Sequence, residues 1–128
     1  MGPISTGLGS GPEALAVTPD ALGAHVYVTL TGTDQFAVID DTLATPAIIG
    51  APVALALASS PFGVTIPPID ALFLPPTGVR VYIAEFGLSD VAIRDDETVT
   101  PFGANAASPI ALTALSTPRG IAHIPVPR

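Results

Sequence analysis

The sequence has no cysteine, no tryptophan and no lysine among its 128 residues. The absence of cysteine excludes disulfides, thiolate catalysis and cysteine-based metal sites. Four arginines against 11 acidic residues give a net charge of −7. This balance disfavours nucleic acids and anionic membranes as partners, because both require clustered positive charge. No apolar run approaches the roughly 20 residues that a membrane helix needs, so we expect no membrane insertion.

Lys, Gln and Glu, which are good helix formers, are also scarce, and no segment keeps a 3.6-residue periodicity over a useful length. The 15 prolines and 12 glycines are spread along the chain, which is typical of frequent turns between short strands. Val, Ile and Thr, the residues that favour strands, are common. With 48% hydrophobic and 12% charged residues, the composition is that of a folded chain with a core. We therefore predict one all-β domain.

One stretch, residues 25–40, recurs 55 residues further on as residues 80–95. Each copy consists of a predicted strand, a glycine-containing turn and a second strand that ends in Asp. Pro12, Pro61 and Pro118 open three equivalent segments, separated by 49 and 57 residues. Four short strands in each 40–50 residues is the sequence signature of a propeller blade.

The strand predictions follow from this repeat. In the first copy they are residues 12–20, 26–30, 36–40 and 52–58, and the last of these has the alternating apolar pattern of a strand buried on both faces. In the second copy they are residues 60–68, 81–84, 90–94 and 109–115. The predicted organisation is a lead-in at 1–11, a first blade at 12–60, a second blade at 61–117, and the first strand of a third repeat at 118–128. That last strand completes a neighbouring blade or the first one.

The segments 14–20, 26–29 and 36–40, with their second-copy counterparts 61–64, 81–84 and 91–95, resemble the YVTN-type β-propeller repeat. This family is related to the lactonase-like and NHL propellers of bacteria and archaea. The third copy matches only through residues 118–122. The resemblance implies four-stranded blades, about two of them plus one extra strand in this chain. The second hairpin departs from the family pattern at residues 30–32 and 85–87, so function carried by loops is not transferred.

Two blades are too few for a stable repeat protein, because a blade buries both faces and about three units are needed. The chain is therefore expected to be a fragment of a larger propeller, one part of a ring of several chains, or a subunit of a filament. We expect the last strand to add to a neighbouring sheet. We also expect the apolar insertion near residue 70 to favour a subunit contact over a ligand pocket. The predicted assembly residues are Gly120, Ile121, His123, Ile124, Leu72, Phe73 and Leu74.

The candidates for site chemistry are few. Asp40, Asp41, Asp95 and Asp96 recur after the third strand of each copy; they either hold Ca²⁺, which prefers six to eight oxygen ligands, or form Asx-turns, which we favour. The two histidines, His25 and His123, do not make a zinc site without cysteine, and no cofactor is expected. Glu85 is expected to form an exposed ion pair with Arg80 or Arg94. The aromatic residues predicted to pack in the core are Tyr27, Tyr82, Phe62, Phe86 and Phe102.

These observations favour a non-enzymatic, self-assembling structural or interaction module that is secreted or on the cell surface of a bacterium or archaeon. Residues 1–11 lack the features of a signal peptide, so an exported protein would contain this chain as its mature form or as a fragment. The Ser and Thr residues in turns suit O-glycans in that setting. The alternative is a fragment of a lactonase- or dehydrogenase-like propeller enzyme, whose central channel would receive only His123 and Glu85 from this chain. A passive piece of a longer surface protein is a third hypothesis.

Overall fold

The computed structural model describes residues 2–18, 25–67, 78–97, 103–104 and 108–122. Within these ranges the chain is all-β, with one short 3₁₀ turn at Thr31–Thr33. The strands are β1 Pro12–Val17, β2 His25–Leu30, β3 Gln35–Asp40, β4 Ala47–Ile48, β5 Val53–Ala54, β6 Pro61–Thr65, β7 Gly78–Glu85, β8 Asp90–Glu97, β9 Gly103–Ala104 and β10 Ile110–Ala111. The prediction of an all-β chain is confirmed.

The strands form two open antiparallel sheets of the same order. The first sheet runs β1-β2-β3-β4, with β5 also paired to β3, and the second runs β6-β7-β8-β10, with β9 also paired to β8. The central hairpins have equivalent registers. His25 faces Asp40 and Leu30 faces Gln35 in the first, as Arg80 faces Asp95 and Glu85 faces Asp90 in the second. The sequence repeat is therefore a repeat of strand pairing.

The outermost strand of each sheet is broken into two pieces of two residues. β4 pairs with one end of β3 and β5 with the other, and β9 and β10 divide β8 in the same way. The prediction of strands at 52–58 and 109–115 buried on both faces is wrong. In the first of these segments Val53 and Leu55 are partly buried, whereas residues 56–58 are exposed. The prolines before β5 and β10 lack the amide needed to extend the ladder.

The core lies between the two sheets. Three side chains of the first sheet, Tyr27, Phe36 and Val38, pack with six of the second: Val64, Ile66, Val79, Val81, Ile83 and Ala92. Two hydroxyls join the sheets directly, because Thr29 Oγ1 donates to Phe62 O at 3.2 Å and Thr31 Oγ1 donates to Pro61 O at 2.5 Å. Each sheet therefore buries one face against the other, and the sheet pair is the folded unit.

The predicted aromatic core is only partly correct. Tyr27 is fully buried, as predicted. Tyr82, Phe62 and Phe86 are partly exposed, so their assignment to the core is wrong, and Phe102 lies outside the described residues. The difference arises because Tyr27 faces the second sheet, whereas Tyr82 lies on the opposite, outward side of its own sheet.

Each central hairpin turns at a glycine that contacts the chain just before the first strand of its sheet. Gly32 N–H donates to Ser10 O at 2.8 Å, and Gly87 N–H donates to Ser59 O at 2.9 Å. A Cβ atom on Gly32 would lie 2.1 Å from Gly9 O, and one on Gly87 would lie 1.9 Å from Ala58 O. These two positions require glycine because of close backbone approach, with no room for a methyl group.

We predict that Gly87→Ala lowers the free energy of unfolding by about 2–3 kcal/mol, because backbone atoms must move to relieve the contact. Urea unfolding followed by circular dichroism measures this loss. Gly120→Ala is the matched control, since a Cβ there meets no atom within 4 Å. Equal stability of the two variants would contradict the packing argument.

Candidate functional site

The prolines that open the three repeats are each preceded by a loop of the same conformation, which we call the serine loops: residues 9–11, 58–60 and 115–117. In each loop a central serine lies between two residues with positive φ. These φ angles are 77° and 56° at Gly9 and Gly11, 63° and 43° at Ala58 and Ser60, and 64° and 44° at Leu115 and Thr117. The three loops are one structural motif, which links successive repeats.

A backbone hydrogen bond closes each serine loop. The amide of the central serine donates to the carbonyl three residues earlier, at 3.4 Å for Ser10, 3.1 Å for Ser59 and 3.0 Å for Ser116. Ser10 and Ser59 are 3% and 0% exposed, because a hairpin turn covers each. Ser116 is exposed. The third loop therefore has the same conformation as the other two, but no hairpin turn among the described residues covers it.

Asp34 fixes the second serine loop from the first sheet. Its carboxylate accepts hydrogen bonds from Ala58 N and Ser60 N, each at 2.8 Å, and from Ser59 Oγ at 3.4 Å. Asp34 has a φ of 53°, a conformation that Asp tolerates better than most residues. A carboxylate that accepts three hydrogen bonds therefore holds the linker between the sheets.

Ser89 has the equivalent position in the second sheet, with a φ of 59°. Its carbonyl accepts from Leu112 N at 3.0 Å, as the carbonyl of Asp34 accepts from Leu55 N at 2.9 Å. The Ser89 side chain has no hydrogen-bond partner among the described residues, so the third serine loop lacks the carboxylate clamp of the second.

We predict that Asp34→Ala lowers the free energy of unfolding by about 1–3 kcal/mol, because three donors lose a charged acceptor. Ser89→Ala, the matched change at the same left-handed position, is expected to alter it by less than about 0.5 kcal/mol. Chemical denaturation of both variants makes the comparison. A loss in Ser89→Ala as large as in Asp34→Ala would show that the backbone conformation, and not the carboxylate, is responsible.

Two sheet faces differ in burial although they carry equivalent residues. On the outer face of the first sheet, Leu15 and Val17 are 64% and 53% exposed, beside their cross-strand partners Val28 and Val26. We call these four residues the outer face. Their equivalents in the second sheet are Val64, Ile66, Ile83 and Val81, which are at most 9% exposed. Among the described residues, the outer face is therefore an apolar sheet surface without a covering layer.

The terminal segment, residues 118–122, lies against the second sheet. A Cβ on Gly63 would lie 2.9 Å from Arg119 O and 3.2 Å from Ile121 N. The Arg119 guanidinium stands 5.2 Å from the ring centroid of Phe62 and 4.8 Å from that of Phe86, a cation–π arrangement. Of the predicted assembly residues, Gly120 and Ile121 belong to this segment. Leu72, Phe73, Leu74, His123 and Ile124 lie outside the described residues.

Two buried carboxylates face each other at the end of the second hairpin. Glu85 is 2% exposed and Asp90 8% exposed, and the two are register partners. Glu85 Oε1 and Asp90 Oδ1 lack hydrogen-bond partners among the described residues. Burial, reinforced by the adjacent Asp90, raises the pKa of Glu85 to about 8, against the opposing influence of Arg94 and Ser59. The Glu85 side chain therefore carries a proton at neutral pH.

The expected exposed ion pair of Glu85 is wrong, because Glu85 is buried and Arg80 instead contacts Asp95, with Nε 2.8 Å from Oδ1. The sequence carried a signal for the acid pair. The counterparts of Glu85 and Asp90 in the first sheet are Leu30 and Gln35. Glu85 therefore stands at the position where the first repeat has a fully buried leucine.

We predict that stability falls as the pH rises from about 5 through about 8. The folded chain keeps the proton on Glu85, whereas the unfolded chain releases it near its ordinary pKa of 4.5. The stabilisation is therefore complete below about 4.5 and is lost as the pH rises through the folded value, by on the order of a few kcal/mol. Urea unfolding at a series of pH values measures it.

Glu85→Gln should remove most of this pH dependence, and Glu13→Gln, at an exposed position of β1, should leave it in place. If Glu85→Gln, like Glu13→Gln, keeps the pH dependence of the original chain's free energy of unfolding, the acid pair does not bind the proton.

The four aspartates considered as metal ligands lie in separate surroundings. Asp40 Oδ1 accepts from Thr42 N at 2.8 Å and from Thr42 Oγ1 at 2.5 Å, an Asx-turn, and these hydrogen bonds lower the pKa of Asp40. Asp41 is exposed, Asp95 pairs with Arg80, and Asp96 lies in β8 opposite Val79. Among the described residues, no three His, Asp or Glu side chains are grouped as a metal site.

His25 is the first residue of β2, opposite Asp40, as expected for a polar strand start. Within the ranges that the structure covers, no helix has the length and apolarity to cross a membrane.

Comparison with known proteins gives no relative: no family model matches the chain, and neither a curated protein nor a solved structure matches it. The resemblance to YVTN-type repeats stays a prediction from the residues that carry it.

Proposed function

We propose that this chain is a non-enzymatic β-propeller-type repeat protein, secreted or on the cell surface, which assembles with copies of itself through its sheet faces and terminal segment. The observation that carries the proposal is the unequal burial of equivalent faces. The face built from Val64, Ile66 and their neighbours is covered by the first sheet, whereas its counterpart with Leu15 and Val17 is open. The first blade thus offers the surface that the second blade has already buried.

The packing inside one chain supplies a template for the contact between chains. In the chain, the face with Tyr27 covers the second sheet. The far face of the second sheet carries Tyr82 and Val91 at the positions of Tyr27 and Phe36, and both are partly exposed, whereas Ile93, at the position of Val38, is buried. The complementary surface for the outer face is therefore this far face, together with the terminal segment along its edge.

Contact between two different surfaces is heterologous, and it closes into a ring or continues as a filament according to the rotation between subunits. Burial of apolar area contributes about 25 cal/mol per Å², so burial of a sheet face supplies association energy. Copies of the same chain, or further blades of a longer chain, would provide the same cover. The many Ser and Thr residues in turns leave room for O-glycans outside these faces.

The main alternative is a piece of a lactonase- or dehydrogenase-like propeller enzyme. Shifted pKa values cluster at active sites, which directs attention to Glu85. Its carboxylate, however, is buried beside Ser59 and Asp90, with 2% of the residue exposed to solvent. This placement supports a structural role for the acid pair and so favours the non-enzymatic proposal.

We predict that Val17→Glu lowers the association constant at least about tenfold, because assembly would bury an unpaired charge. Size-exclusion chromatography with light scattering, over a range of protein concentrations, measures the change. Leu57→Glu is the control, since Leu57 is 89% exposed in the linker, outside the outer face. A well-folded monomer of 12.8 kDa for the original chain at all concentrations would refute self-assembly.

A further inference from the structure

The third serine loop presents two backbone acceptors that are occupied in the other two loops. Ser10 O and Ser59 O accept the N–H of a turn glycine, and Gly11 O and Ser60 O accept the N–H of the residue before that glycine, at 3.0 and 3.3 Å. Their equivalents are Ser116 O and Thr117 O. No described residue donates a hydrogen bond to either. The third loop therefore exposes two carbonyl acceptors whose partners are known from the other two loops.

The third loop also holds the conformation of the two occupied loops. Leu115 and Thr117 have φ angles of 64° and 44°, which are unfavourable for residues with branched or bulky side chains. The loop is closed by the Ser116 hydrogen bond to Thr113 O, and Arg119 is fixed over two aromatic rings. A partner would thus meet a site that is already shaped, which reduces the ordering cost of binding.

The occupied loops define the chemistry of the partner. At both, the partner is a β-hairpin whose turn reads Xaa-Gly, and a side chain on that glycine would approach a carbonyl oxygen to about 2 Å. The residue before Xaa lies opposite the proline, as Leu30 faces Pro12 and Glu85 faces Pro61. In the same register, Ile121 would lie opposite the hairpin residue three positions before Xaa, as Leu15 faces Val28 and Val64 faces Ile83.

We propose that the third serine loop and the terminal segment form a docking site for a β-hairpin with an Xaa-Gly turn from a partner polypeptide, because the two hairpins of a copy of this chain are already bound to their own serine loops. The hairpin adds to residues 118–122 as an antiparallel strand, with Gly N–H on Ser116 O and Xaa N–H on Thr117 O. The inference rests on the proposed interaction role and specifies the partner of the terminal segment. Main-chain pairing of this kind is β-strand addition.

The test is a titration of the isotopically labelled full chain with a peptide of residues 25–40, closed by an added cysteine at each end so that it is a hairpin before binding. Because Ser10 and Ser59 are already covered, NMR shifts should change at residues 115–121 and stay unchanged at 9–11 and 58–60. The same peptide with Gly32→Ala should bind at least tenfold more weakly, because its methyl group would meet the carbonyl of Leu115.

Three results would overturn the proposal: no shift at residues 115–121 with about 1 mM peptide, equal binding of the glycine and alanine peptides, or equal shifts at residues 58–60. A fourth such result is a shift at residues 115–117 on concentrating the chain alone, because self-assembly through the sheet faces and the terminal segment leaves the third serine loop free, and a second copy would then occupy it. Repeating the titration with Val17→Glu separates the two proposals. Hairpin binding without self-association rejects only self-assembly, and self-association without hairpin binding rejects only the docking site.

Discussion

The hydrogen bond from a turn glycine to a serine carbonyl is the interaction on which the repeat depends. It joins the end of each central hairpin to the loop that begins the same sheet, and therefore sets where the first strand starts. The contact is so close that the turn accepts only glycine, and the loop accepts only a backbone with two left-handed residues. In the second loop the Asp34 carboxylate adds three further hydrogen bonds, so the first sheet also positions the second. The conformations of the turn and of the serine loop therefore depend on each other, and together they fix the order of the strands.

The two repeats are alike in backbone but have diverged where they meet different surroundings. Thr29 and Thr31 bond to the second sheet, while their counterparts Ala84 and Phe86 have no hydroxyl and Phe86 instead stacks under Arg119. Leu30 corresponds to Glu85, so an apolar position in one sheet is a protonated acid in the other. Internal comparison of this kind assigns roles to residues without any relative of the chain, because each repeat is the reference for the other.

Much of the architecture could be predicted from the sequence, and the failures have physical causes. The glycine turns, the two central hairpins and the all-β class follow from residues 25–40 and their repeat. The alternating large and small residues at 52–58 misled because small apolar residues are tolerated on an exposed linker as well as in a buried strand. The burial of Glu85 was missed because acidic residues are normally solvated, and Arg80 and Arg94 offered partners for an exposed ion pair. Left-handed Ser60 and Thr117 give no local signal, since they precede prolines, where extended backbone is the usual conformation.

The broken outermost strands have a consequence for uncontrolled association between copies of such an apolar chain. A continuous edge strand offers a row of free amides and carbonyls, and identical chains can add to it without limit. Among the described residues this edge consists of pairs of residues, and a proline, Pro52 or Pro109, directly precedes one pair in each sheet. An edge of such short pieces is a poor template for strand addition, so zipper-like growth along that side is disfavoured.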